Sequence, residues 1–321
     1  MTAFEFDDPV VHVTRTLEDS LRQAAFTAAD NGLGVPDIAG KLLRPAVAWA
    51  LMPRTQGRLP ESKFAAGALA IQMAHEASLL HDDILDCAGR RRGVPSLQTS
   101  SGIGAALVAG DRYLTSAYVI AGETGSAVFV RAFAVALERT VAGEMKQGAS
   151  RGRILTEEAY EAIIREKSGE LFGAAAVLAS EIGGVPVPVE IGVRIGSLYQ
   201  RIDDLLDYCT QIEQDKPPLQ DWRQRKWTFP LGLAGVSDWT MPEVDLLAVL
   251  RSGPEPPLMS AVREIEALAA AIVTDASRAL ADVGLLRAIL DSWCASARRA
   301  VERELAPSVP AEYPPAIHRT S

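Results

Sequence analysis

Apolar residues recur along most of the chain at helical spacing. Leu69, Met73, Ala77, Leu80 and Ile84 follow at steps of four, four, three and four, and Ile191, Ile195, Leu198, Ile202 and Leu205 repeat the pattern. Such steps keep side chains on one face of a helix, so each series predicts a helix with one long buried stripe. The stretch LTEEAYEAIIREKSGELFGAAAVLAS predicts a third helix. Thr156 is its candidate N-cap, and Glu157 and Glu158 favour the positive end of its dipole. No segment alternates with period two over a strand's length. Proline and glycine punctuate the helices at GGVPVP (183–188), DKPPLQ (215–220) and SGPEPP (252–257), each too short to be a domain linker. The pattern therefore predicts one all-α domain over residues 1–305. The proline-rich tail, residues 306–321, is expected to be disordered.

Composition narrows the class. In 321 residues, 48% are apolar and 23% charged, the balance of a soluble globular protein with a core. A formal net charge of −9 argues against non-specific nucleic-acid binding, which needs a broad basic surface. The acidic start MTAFEFDDPV lacks the basic-then-apolar order of a signal peptide. No apolar run approaches the roughly 18 residues that would span a bilayer. Cys87, Cys209 and Cys294 are few and far apart, which fits a reducing cytoplasm and neither a disulfide framework nor a zinc site.

Two short stretches conflict with a purely structural reading of the helices. SLLHDDILD (78–86) sets Asp82, Asp83 and Asp86 among leucine and isoleucine, and RIDDLLD (201–207) repeats the D-D-x-x-D spacing with Asp203, Asp204 and Asp207. Two carboxylates about 4 Å apart repel by ~4 kcal/mol at an effective dielectric of 20, so a cation is expected nearby. Residues four apart share a helix face: Asp82 and Asp86 point together with His75 near them, and Gln200, Asp203 or Asp204, and Asp207 align on the second helix. Two such helices face to face form a pocket with carboxylates on both walls. Hard oxygen donors suit Mg2+, which bridges carboxylates to substrate phosphates.

Basic residues lie where that pocket needs them. GRRRGVPSL brings Arg90, Arg91 and Arg92 directly after the first triad, GKLLRP offers Lys41 and Arg44, and Lys167 and Lys226 follow in REKSGELF and RQRKWTFP. Together with two metal-binding triads they predict a site for two diphosphates, one held through metals and one through Arg and Lys. Solvated helix faces are the bland alternative, weakened by the duplication on two strongly apolar helices. A metal-dependent HD phosphohydrolase, prompted by His81-Asp82, would need more histidine ligands than His12, His75, His81 and His318 can supply.

These motifs, in their order, resemble the trans-isoprenyl diphosphate synthase (polyprenyl synthetase) family over roughly residues 35–235. AGKLLRP is similar to the family's GGKRxRP, and HEASLLHDDILDCAGRRRGVPS to its first aspartate-rich motif with the trailing Arg-Arg-Gly. VAGDRYL, EKSGELF, YQRIDDLLD and KPPLQDWRQRKWTFP resemble the Gly-Asp segment, the Lys-Thr stretch, the second aspartate-rich motif and the closing lysine loop. The resemblance implies a bundle of antiparallel helices around a central apolar cavity, and a Mg2+-dependent condensation of isopentenyl diphosphate with an allylic diphosphate. It implies that Asp82, Asp86 and Asp203 hold three Mg2+ ions on the allylic diphosphate, with Asp83, Asp204 and Asp207 completing the cluster. Arg91, Lys167 and Lys226 would contact that diphosphate, while Lys41, Arg44, His75 and Arg92 would bind isopentenyl diphosphate. Gln200 and Ser168 (Thr in most of the family) would line the reacting centre.

Three departures fall beside these positions. Leu42 replaces an arginine, Ala39 a glycine, and Asp215 the glycine before Lys216; isopentenyl affinity and loop closure are where they should act. A class I terpene cyclase shares the fold and the ionisation chemistry, but usually carries an Asn/Asp…Ser/Thr…Glu second metal motif. A non-catalytic subunit of a heteromeric synthase would be expected to lose metal ligands. Ala77 and Ser78, four and five residues before the first aspartate, are small where bulky residues stop chain growth in the family. The expected product is thus geranylgeranyl diphosphate (C20) or longer, with Phe133 or Tyr113 as a deeper floor. The family's habit also implies a homodimer.

Overall fold

The computed structural model describes residues 8–34, 41–53, 61–212 and 217–306. Ala39, Asp215, Lys216 and the proline-rich tail from residue 307 lie outside them. Helices α1 (Asp8–Asp30), α2 (Leu43–Leu51) and α3 (Glu61–Leu85) open the chain, followed by a two-stranded hairpin of β1 (Arg90–Arg91) and β2 (Val94–Pro95). Then come α4 (Leu97–Ser101), α5 (Ile103–Gly122), α6 (Ala127–Ser150), α7 (Glu157–Ile164), a π-helical turn (Arg165–Gly169) and α8 (Glu170–Gly183). The remainder is α9 (Val189–Leu206), α10 (Gln220–Arg223), α11 (Phe229–Leu233), α12 (Glu243–Arg251), α13 (Pro257–Ala279) and α14 (Gly284–Leu305).

The predicted stripe is buried throughout on α9 and as far as Ala77 on α3, where Leu80 and Ile84, beside the first triad, are half-buried. Leu69, Met73 and Ala77 on α3, and Ile191, Ile195, Leu198, Ile202 and Leu205 on α9, are all withdrawn from solvent. Helix α8 is apolar all round, from Leu171 to Ala179, which only a helix covered on every side can afford. It is packed by α2, α3, α6 and α9 and forms the centre of the core. Glycines set the closest approach: a Cβ on Gly196 would stand 2.6 Å from the Gly169 Cα and 2.7 Å from the Ser168 carbonyl oxygen, so α9 lies directly against the π turn.

Two local features differ from the sequence pattern. The helix expected to run unbroken from Thr156 does begin there, with the Thr156 hydroxyl accepting from the Ala159 N–H at 3.3 Å. It is interrupted by the π turn over 165–169, a single-turn bulge that apolar periodicity does not register. The hairpin was not expected either, since two-residue strands are too short to alternate. Its corner residues Arg92 (φ 50°) and Gly93 (φ 78°) are both left-handed, as a two-residue hairpin turn of this hand requires.

Candidate active site

The first triad closes helix α3. The Asp86 N–H still bonds the Asp82 carbonyl at 2.8 Å, and Cys87 (φ 50°) then turns the chain into the hairpin. The hairpin folds back and sends successive arginines to opposite targets on α3. Arg91 Nε donates to Asp83 Oδ1 at 3.0 Å, and a second guanidinium nitrogen pairs with the same oxygen. Arg92 donates from Nη1 and Nη2 to the two oxygens of Glu76 at 3.2 and 2.9 Å. Asp83 is only 2% exposed, so the buried member of the triad is neutralised by protein.

Asp86 is met from the far side of the chain. Buried Lys226 donates its Nζ to both Asp86 oxygens at 3.1 and 3.3 Å, and Arg151 reaches Oδ1 at 3.2 Å. Left-handed Arg225 (φ 53°) forms the bend before Lys226, and its carbonyl accepts from the Gly152 N–H at 2.8 Å, joining the closing lysine loop to the end of α6. Lys167, carried on the π turn, bonds Glu144 and Gln147 at 2.6 Å each. Burial opposes its charge, but Asp82 and Glu144, with Asp221 beyond, outweigh that and hold the ammonium above its usual range.

The second triad is held by neutral donors. Asp203 is exposed. Asp204 is buried, and its oxygens accept from the Tyr160 hydroxyl and the Gln200 amide at 2.7 Å each. Gln200 in turn accepts from the Ser168 hydroxyl at 2.5 Å, so Ser168, Gln200 and Asp204 form one chain of hydrogen bonds. Helix α9 ends at Leu206. Asp207 stands beyond it and accepts from the Gln220 and Asp221 N–H groups at 3.0 and 2.9 Å, capping α10. Burial, then the Asp221 carboxylate, push Asp204 up to about 8 and Asp207 up to about 7; Asp203 adds to both.

A basic cluster lies towards α2. Arg44 is buried with its guanidinium 4.9 Å from the centre of the Phe172 ring, and burial pushes it down to about 10 against the pull of Tyr199 and Glu76. His75 is lowered well below its usual range, by burial first and then by Arg44, Arg92 and Arg91, so its imidazole is neutral. Lys41 lies half-buried before α2, and Leu42 is left-handed (φ 47°). Ala77 is buried and Ser78 half-buried, its hydroxyl donating to the His75 carbonyl at 2.8 Å.

The donor set suits a hard divalent cation. The upward-shifted Asp204, buried, and Asp207, half-buried, are acidic groups crowded by Asp203 and Asp221, which is the deficit such an ion relieves. Among the described residues, however, no three acidic, histidine or cysteine side chains converge as a ligand cage. The arrangement therefore brings the predicted residues to one region without gathering the six aspartates on one point. Sequence reasoning missed Tyr160, Glu76, Glu144, Gln147, Arg151 and Asp221. Tyr160 falls at a helical apolar spacing and reads as core; Asp221 carries the one legible signal, an acidic residue five before Lys226 in the closing loop. A separate groove of about 820 Å3 beside α7 and α9 contains none of the predicted residues, and its arginines Arg139, Arg165 and Arg201 are paired with its glutamates.

Comparison with known proteins shows the family and the fold. The model of the polyprenyl synthetase family matches residues 34–240. Nonaprenyl diphosphate synthase of Mycobacterium tuberculosis is 30% identical over 315 residues, covering 94% of this chain and 88% of that protein. The structure of a polyprenyl synthase from Caulobacter crescentus, complexed with calcium and isoprenyl diphosphate, superposes with a TM-score of 0.70 at 23% identity, covering 92% of this chain and 98% of that one. A geranyltransferase from Helicobacter pylori, complexed with magnesium and isoprenyl diphosphate, gives 0.65 at 17% identity, with coverage of 92% and 99%.

Proposed function

The chain belongs to the polyprenyl synthetase family, and we propose that it is a Mg2+-dependent prenyltransferase that extends an allylic diphosphate with isopentenyl diphosphate to C20 or longer. The observation that carries this reading is the position of Lys167 and Lys226. Lys226 bridges to Asp86 of the first triad, and Lys167 lies under the influence of Asp82 and of Asp221 beside the second. Two fixed ammonium groups between two acidic walls are what a departing diphosphate needs, because negative charge grows on it as the allylic C–O bond breaks.

Asp82, Asp86 and Asp203 would hold the ions, whose contribution when bound is to neutralise the leaving diphosphate. Lys167, Lys226 and Arg91 bind its remaining oxygens. Lys41, Arg44, His75 and Arg92 receive isopentenyl diphosphate, with Gln200 and Ser168 lining the reacting centre. The apolar faces of α3 and α8 keep water from the allylic cation until the isopentenyl double bond attacks it and a proton leaves, taken up by the released diphosphate.

Ala77 offers a growing chain no obstruction. Phe133, fully buried and stacked on Phe129 at 5.9 Å, is the candidate floor below it, with half-buried Tyr113 the alternative. An unpartnered apolar stripe on α5 and α6, including Leu107, Val108, Val119, Val135 and Met145, supports a homodimer through those helices. No helix among the described residues is long and apolar enough to cross a membrane, and the three cysteines are unbridged, in keeping with a cytoplasmic enzyme.

The test is a product assay with Mg2+, isopentenyl diphosphate and, separately, dimethylallyl, geranyl and farnesyl diphosphates. Prenyl alcohols that appear only after phosphatase treatment support the reading and give the chain length. Hydrocarbons or cyclic alcohols formed without phosphatase and without isopentenyl diphosphate overturn it in favour of a cyclase.

A further inference from the structure

Two of the three hairpin arginines, Arg91 and Arg92, are engaged by carboxylates of α3, but the two pairs differ in kind. Asp83 belongs to the first triad. Glu76 stands on the basic side, close enough to affect Arg44 and Tyr113, and next in sequence to His75. Its side chain is 11% exposed and fixed from two directions: Gln72 Nε2 donates to Oε1 at 2.9 Å, and Arg92 closes a two-bond fork on both oxygens. The Arg92 side chain keeps 36% exposure, so a ligand from solvent can reach it. A guanidinium fork recognises a carboxylate and a phosphate with the same geometry.

We propose that Glu76 is an internal competitor for Arg92: a positioning residue that pre-orients the guanidinium while lowering the affinity of the basic cluster for the second, non-allylic diphosphate. This rests on the reading of that cluster as the isopentenyl diphosphate site. A diphosphate reaching Arg92 must either displace the Glu76 carboxylate or share the guanidinium with it. Sharing leaves two anions on one cation, and Gln72 restrains the carboxylate from withdrawing. A purely structural staple makes the opposite prediction, since loosening it would misplace Arg92 and weaken binding.

The experiment is calorimetric titration of the full chain with isopentenyl diphosphate in EDTA, so that metal-mediated binding does not contribute. Glu76→Gln keeps the shape and an acceptor oxygen for Arg92 but removes the charge. The expected result is binding ~3- to 10-fold tighter than wild type, with no gain from the same substitution in an Arg92→Ala background. In Mg2+-supported turnover, KM for isopentenyl diphosphate falls by the same factor, while KM for the allylic diphosphate stays within about twofold. Unchanged or weaker binding by Glu76→Gln, or an equal gain without Arg92, overturns the proposal. If Glu76→Gln does not fold, Glu76→Asp, which withdraws the carboxylate by one methylene, should shift binding in the same direction, and its failure to do so also overturns it. Tighter binding by a protein that forms no prenyl diphosphate would uphold the competitor and overturn the enzymatic reading; product without tighter binding would do the reverse.

Discussion

The two aspartate triads share a spacing and little else. On α3, Asp83 is locked to Arg91, and Asp86 is held by Lys226 and Arg151, so protein cations supply the balancing charge. On α9, Asp204 and Asp207 are held by a phenol, an amide and two backbone N–H groups, and Asp221 adds a further negative charge. Hydrogen bonds orient a carboxylate without cancelling its charge, and here burial and the Asp221 carboxylate outweigh them, so Asp204 and Asp207 hold their protons above the usual carboxylate range. The difference teaches that one sequence motif can be built as a salt-bridged wall or as an electrostatically unfinished one. The second kind is where an ion has most to contribute.

The largest expected effect tests that asymmetry directly. Asp203→Asn should lower kcat by about 10²–10³-fold while leaving the melting temperature of the metal-free protein unchanged or higher, because it removes repulsion. Asp83→Asn should instead appear in stability: an Arg91 left without its buried partner costs about 3–5 kcal/mol. Steady-state assays and thermal melts on the two variants decide the matter, and two walls that respond alike would break the comparison. Next in size is Tyr160→Phe, which removes one of the donors orienting Asp204. The Mg2+ concentration for half-maximal activity should rise about tenfold, the usual loss when a partner of a metal ligand is removed. An unchanged Mg2+ titration would mean that Asp204 acts without the metal.

Most of the fold was legible because each long helix commits one face to the core. The stripe on α9 is buried as predicted, that on α3 as far as Ala77, and Thr156 caps α7. The triads and their basic companions were legible as chemistry because like charges among apolar residues call for a counterion. Other features arise only from tertiary geometry. The π turn that presents Lys167 and Ser168 depends on α6 and α9 lying close enough that Gly143 and Gly196 are needed against it. The partition of carboxylates could not be read either: D-D-x-x-D is the same string whether a hairpin arginine or a tyrosine reaches the buried aspartate. Asp207 shows this best, since its role as a cap for α10 depends on a loop returning thirteen residues later.

A smaller effect follows from protonation of the second wall. Carboxyls whose folded values are raised to about 8 and about 7 bind more protons in the folded than in the unfolded chain above the usual carboxylate range, so stability falls as pH rises through that interval. His75 has the opposite slope: its value is lowered on folding, so its contribution is lost as pH falls below about 6.5. Two carboxyls outweigh one imidazole, so in EDTA the melting temperature should fall as pH rises from about 5, with no maximum near neutrality, and drop by a few degrees between pH 6.5 and 8.5. Mg2+ should remove most of the alkaline loss, because an ion held at this wall would balance the charge that the protons leave behind. A melting temperature that is flat from pH 6.5 to 8.5 without metal would mean that the second wall is balanced after all.

The smallest effect probes the first wall, where two cations meet one carboxylate. Lys226 is the buried partner, with 7% of its side chain exposed, whereas Arg151 keeps 36% and approaches Asp86 from the solvent side at 3.2 Å. An ion pair screened by water contributes about 0.2–1 kcal/mol, and in a chain of this size that shifts a melting temperature by roughly 2 °C or less. Arg151→Ala should show no more than this, because Lys226 continues to hold Asp86 in place. Lys226→Met should cost several times as much, since it leaves Asp86 with a partner that water already weakens. Thermal melts of the two variants at pH 7 make the measurement. Equal losses would show that the α3 wall is balanced by a shared pair of cations and not by the buried lysine, and the contrast with α9 would then lie in the number of cations and not in their burial.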